Sequence, residues 1–122
     1  YEAERATLIQ QRAERTAELA ASQASVAKLS EALPYLERQL GARKELAEKG
    51  YFSKLKLLEY EQLRTEHLRD IDIQTANVAQ ARAALGTLDA QLRSLRENFG
   101  KTAVTDLAEA NDQAGLAGEE LR

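Results

Sequence analysis

His67 is the only histidine in the chain, and there is no cysteine. No carboxylate pair is joined by that imidazole at a metal-ligand spacing, so no metal centre is expected. A lone histidine at a repeat position reads first as a seam or surface residue. No nucleophile and base can be paired, and no glycine-rich phosphate loop follows a strand, because no strand is expected. The sequence therefore offers no catalytic residue and no cofactor site, and it reads as a non-enzyme.

The residues with chemistry left to do are concentrated in "LAEKGYFSKLKLLEYEQ", positions 46–62, and just before it. Arg43, Lys44, Lys49, Lys54 and Lys56 outnumber Glu45 and Glu48 there, although the net charge of the chain is −3. Tyr51 and Phe52 sit on this basic knob. An aromatic pair rimmed by charge is a candidate contact surface. The competing reading has both rings fold back over Leu46 and Leu55 to close the end of the structure.

The elements that must present this knob are helical. Aromatic residues make up 5% of the chain and charged residues 30%, too few and too many for a thick globular core. Alanine, leucine, glutamate, arginine and glutamine dominate, the composition of long helices that bury a narrow seam. An acidic chain has no overall positive field to hold nucleic acid or anionic lipid. Its apolar runs are far shorter than the roughly 20 residues that span a bilayer. With no methionine, even at position 1, and a start inside a helical pattern, the sequence reads as an excised fragment of a larger protein.

Apolar positions recur at alternating spacings of three and four. Leu19, Ser22, Val26, Leu29, Leu33, Leu36 and Leu40 follow the a/d rhythm of a heptad before the Gly50-Tyr51-Phe52-Ser53 break. After it, Leu57, Tyr60, Arg64, His67, Ile71, Gln74, Val78, Ala81, Leu85, Leu88, Leu92, Leu95 and Phe99 continue it. A connection this short lets the two stripes bury each other as an antiparallel hairpin. Centred near Gly50, partner numbers sum to about 100, so that Leu40 faces Tyr60, Leu33 faces His67, Leu29 faces Ile71 and Leu8 faces Leu92. A sum of about 107 also satisfies the repeat.

The expected fold is all-α, a long antiparallel coiled-coil hairpin with a first arm over 1–49, a tip turn over 50–53, a second arm over 54–99 and a helical extension over 100–122. At ~1.5 Å per residue the first arm would be roughly 70 Å long. Gly50 can take the left-handed conformation that ends a helix, Lys49 complements its negative end, and Ser53 can cap the next one. Pro34 removes a backbone donor and is expected to kink or break the first arm. Arg12, Arg15 and Arg64 at seam positions predict a looser seam than all-leucine heptads give. Beyond Gly100, Leu107, Ala110, Ala114, Ala117 and Leu121 resume the repeat one residue out of phase, in a tail weakened by Gly115 and Gly118.

The run Leu46, six residues, Ser53, three residues, Leu57 at the turn of such a hairpin resembles the tip motif of bacterial periplasmic adaptors, the HlyD-type membrane fusion family. The wording from Lys49-Gly50 to Leu58-Glu59 is similar to the type I secretion branch. The efflux branch places an arginine four residues before the first leucine; here that position is Ala42, and Arg43 is the nearest substitute. The resemblance implies that Arg43, Leu46, Lys49, Gly50, Tyr51, Phe52, Ser53, Lys54 and Leu57 form a partner-binding tip that docks on a TolC-like outer-membrane channel. It further implies a periplasmic hairpin of an inner-membrane-anchored protein, with the anchor, lipoyl and β-barrel parts outside this sequence. That protein would assemble, commonly as a hexamer, into a tube between an ABC transporter and the channel for protein export. The hairpin of a drug-efflux adaptor and a generic coiled-coil scaffold or tether are the alternatives.

Overall fold

The computed structural model describes residues 1–120. Two helices, α1 (Glu2–Glu48) and α2 (Lys54–Glu120), pack antiparallel as a hairpin. Their contacts fall into two units, one formed by Arg15–Ala84 and the other by Tyr1–Glu14 with Leu85–Arg122.

Within Arg15–Ala84 the two stripes read from the sequence form the seam. Every position from Leu19 to Leu40 in the first stripe and from Leu57 to Val78 in the second is half-buried, and Ala81 is buried. Half-burial of a leucine contributes roughly 1 kcal/mol, so many thin layers, not one core, hold the helices together. Two polar members of the stripe, His67 and Arg64, find partners on the facing helix. His67 lies with Nε2 2.6 Å from the Leu29 carbonyl oxygen, donating to it across the seam in the Nε2–H tautomer. The Arg64 guanidinium reaches Glu37 Oε1 through Nε and Nη2 at 3.2 and 3.1 Å. This pair is solvent-exposed and contributes at most about 1 kcal/mol, but it fixes which turns lie opposite each other.

In the unit of Tyr1–Glu14 and Leu85–Arg122, Leu88 is the best-buried large side chain, at 8% exposure, with Leu8, Leu85, Leu92 and Leu95 half-buried. Arg12 Nε donates to Asp89 Oδ1 at 2.6 Å. Tyr1 and Phe99 stack with ring centroids 4.0 Å apart and planes 18° from parallel. In both units, cross-helix pairs such as Glu37–Arg64, Arg12–Asp89 and Tyr1–Phe99 have numbers summing to about 100. The register is therefore the one centred on Gly50, and the alternative near 107 is not adopted.

The sequence places a kink or break at Pro34, but α1 runs unbroken through it and no kink is shown there. Pro34 and Ser30 are both exposed. The Ser30 carbonyl, which loses its i+4 donor, can bond to water, while Leu33 and Leu36 stay in the seam on the other face. The lost bond still weakens the helix. Pro34→Ala is expected to stabilise the hairpin by about 1–3 kcal/mol, read as a higher midpoint in thermal unfolding followed by circular dichroism. An unchanged midpoint would mean that the surrounding turns have fully absorbed the missing bond.

Past Gly100 the helix continues, but residues 101–116 are exposed, including Val104, Leu107 and Leu116. Of the expected apolar positions there, the Ala117 side chain and Leu121 lie outside the described residues.

Candidate functional site

The turn is built by a short run of backbone bonds. Gly50 has φ of 81°, the left-handed conformation that only glycine adopts without strain. That lets the Gly50 N–H reach the Ala47 carbonyl at 3.1 Å and the Tyr51 N–H reach the Leu46 carbonyl at 2.9 Å, the paired bonds of a Schellman motif. The Leu46 and Ala47 carbonyls near the end of α1 are thus satisfied by the turn itself. On the other side, Ser53 starts α2: its Oγ accepts from the Lys56 N–H at 3.4 Å and its carbonyl from the Leu57 N–H at 3.0 Å.

The two aromatics behave differently. Phe52 is half-buried and lies 6.1 Å, ring to ring, from Tyr60 at a tilt of 46°. Arg43 also lies over the Tyr60 ring, its guanidinium carbon 4.0 Å from the ring centroid. Beneath the turn, Ala47 is the most buried residue of all those described, at 4% exposure. Tyr51, by contrast, is 79% exposed, and Leu46, Leu55 and Leu58, close to it in sequence, are exposed as well. Lys44, Ala47 and Glu48 of α1 and Lys54, Leu57 and Leu58 of α2 line an open groove of about 460 Å³ beside the turn.

Among the described residues there is no cluster of three or more His, Cys, Asp or Glu side chains that could hold a metal ion. Among the described residues no helix is long and apolar enough to cross a membrane. The whole chain, residues 1–122, matches the family described as "AprE, long alpha-helical hairpin". The chain belongs to the AprE hairpin family. It is the helical hairpin domain of an adaptor of the HlyD-type membrane fusion class, from type I secretion systems, a family that is structural and not enzymatic. The family implies a periplasmic domain of an inner-membrane adaptor. No curated protein and no solved structure matches the chain.

In this AprE-type hairpin the nine expected tip residues divide into two sets. Arg43, Phe52 and Leu57 are half-buried and close the end of the seam. Leu46, Lys49, Gly50, Tyr51, Ser53 and Lys54 are exposed, with Lys49 Nζ paired to Glu45 Oε1 at 3.3 Å one turn back. Arg43, the substitute for the efflux-branch arginine, is thus engaged with Tyr60 inside the hairpin. Sequence reasoning counted Lys44 in the basic knob without placing it in the groove, and it did not single out Ala47, which closes the space under the turn, or Leu58, which also lines the groove. The spacing of Ala47 from Leu40 and Arg43 did mark it, since it stands one more heptad step along the α1 stripe.

Gly50 carries the conformational demand of the whole tip. A Cβ there meets no atom within 4 Å, so only the backbone resists substitution. Gly50→Ala is expected to lower stability by about 1–2 kcal/mol in denaturant unfolding, the strain of a left-handed alanine. Gly50→Asn, which tolerates that conformation better, should recover part of the loss. Equal stability of all three would mean that the turn has switched to another conformation.

Proposed function

We propose that this hairpin is the periplasmic spacer and docking element of a type I secretion adaptor. Its tip meets a TolC-like outer-membrane channel, its sides pack against neighbouring hairpins in an oligomeric tube, a hexamer, and the rest of the adaptor engages an inner-membrane ABC transporter. The cargo is protein. The observation that carries this reading is the exposure of Tyr51 on a turn that does not need it. Gly50, Phe52 and Ser53 already close the hairpin end, so a large ring left in water, with Leu46, Leu55 and Leu58 exposed as well, is surface held ready for a partner. Farther along the helices, exposed apolar residues such as Tyr35, Leu63 and Ile73 stand among charged and polar ones, a mixed surface that suits lateral contacts between copies.

Site-specific photocrosslinking in secreting cells tests the two faces separately. A benzoylphenylalanine at Tyr51 should form its main adduct with the channel subunit. The same group at Tyr35, which is 64% exposed on the side of α1 under Arg38, should capture neighbouring adaptor copies instead. A tether that works through its long faces would yield no channel adduct from Tyr51.

A further inference from the structure

The tip carries a feature that closing the hairpin does not require: the groove beside the turn. Its lining is apolar where it is deepest, at buried Ala47 and half-buried Leu57, and Leu58 extends that surface outward. Lys44 and Lys54 stand on opposite helices along it, and neither makes an ion pair among the described residues. Lys56 likewise makes no ion pair among the described residues, whereas Lys49 pairs with Glu45 at 3.3 Å. Glu48 is the one carboxylate on the wall.

The backbone tilts the same way. At the end of α1 the Glu45, Leu46 and Ala47 carbonyls accept from Lys49, Tyr51 and Gly50, which leaves fewer free acceptors on that side of the turn. At the start of α2, Ser53 takes the N–H groups of Lys56 and Leu57, leaving those of Lys54 and Leu55 without an acceptor among the described residues. The partial positive charge of a helix start therefore adds to two unneutralised ammonium groups at an apolar groove.

We infer that this groove receives an aliphatic side chain flanked by a carboxylate, presented by a turn of the outer-membrane channel; the inference rests on the docking reading above and names the chemistry of the partner surface. The aliphatic group removes Leu57, Leu58 and Ala47 from water, and the carboxylate sits between Lys44 and Lys54. Tip-to-tip pairing of two hairpins is disfavoured, because it would set the same lysines against each other. The groove selects a partner by charge, and Tyr51 and Leu46 supply the surrounding contact area.

The test uses the Tyr51 crosslinker as a reporter in the full-length adaptor in secreting cells. With Lys44→Gln and Lys54→Gln together, the channel adduct should fall about threefold; with Lys44→Glu and Lys54→Glu together, it should fall tenfold or more, since repulsion replaces attraction. Both lysines are exposed, so helical content should match the wild type in every variant. Channel variants that restore export to the double-Glu adaptor should replace a carboxylate by lysine or arginine. If all lysine variants give wild-type channel adducts, docking stands and the charge-selective groove is overturned. A wild-type reporter that captures no channel overturns the docking reading and the groove with it. Channel adducts replaced by adaptor–adaptor adducts, or hairpin bound to phosphatidylglycerol vesicles through these lysines with no channel adduct, would give the groove a different occupant and also overturn the inference.

Discussion

Export should fall to background in a Leu46→Asp adaptor while the helical content of the hairpin stays close to that of the wild type. Leu46 is 43% exposed, and its part in the turn is played by its carbonyl, which an aspartate retains. The folding penalty is small: a weaker helix former costs about 0.5 kcal/mol, and a negative charge in the last turn costs roughly 0.3–1 kcal/mol against the helix dipole. At the docking surface the same carboxylate must be taken out of water beside apolar contacts, with a penalty of several kcal/mol. Each ~1.4 kcal/mol is a factor of ten in affinity, so the loss in docking is on the order of a hundredfold or more. Ser53→Arg should behave in the same way. The cap it removes is long, at 3.4 Å, and its loss is expected to cost about 0.5–1 kcal/mol, while the arginine adds bulk and like charge to the basic tip. The decisive measurement is secreted protein per cell together with circular dichroism of the purified variants. Normal secretion by both variants would remove the tip from the mechanism.

Much of the hairpin was legible because its two determinants are local. A spacing of three and four residues fixes which face of a helix is apolar, and Leu19 to Leu40 and Leu57 to Leu95 all lie in the seam. The left-handed conformation at Gly50 fixes where the chain reverses, and with it the register. What could not be read depended on how much of each side chain its surroundings cover. Tyr51 and Phe52 are adjacent and chemically alike, yet one rotation of the chain at the Schellman turn directs Phe52 to Tyr60 and leaves Tyr51 in water. Pro34 signals a break by its chemistry, but its exposed position lets water substitute for the lost bond within a helix held by the turns on either side. Phe99 belongs to the stripe by spacing and is still 49% exposed, because its stacking partner Tyr1 covers only one side of the ring.

The tip is specific only if the seam behind it holds, and Leu88 gives the sharpest test of that seam. At 8% exposure it is the best-buried large side chain of the described residues, where nearly every other seam leucine is half in water. Leu88→Asp removes about 2 kcal/mol of apolar burial and introduces a carboxylate next to Asp89, whose own partner Arg12 is already engaged. An uncompensated buried charge adds a few kcal/mol more, giving a total on the order of 4–5 kcal/mol. No single remaining layer at roughly 1 kcal/mol can offset that. The expected result is protease cleavage and fast amide exchange in residues 1–14 and 85–100, with protection retained within Arg15–Ala84, whose seam does not include Leu88. Leu107→Asp supplies the contrast with the same chemistry: Leu107 is 63% exposed, so the change should stay within about 0.5 kcal/mol of the wild type. Equal effects at Leu88 and Leu107 would mean that the seam does not bury the stripe on which the whole hairpin depends.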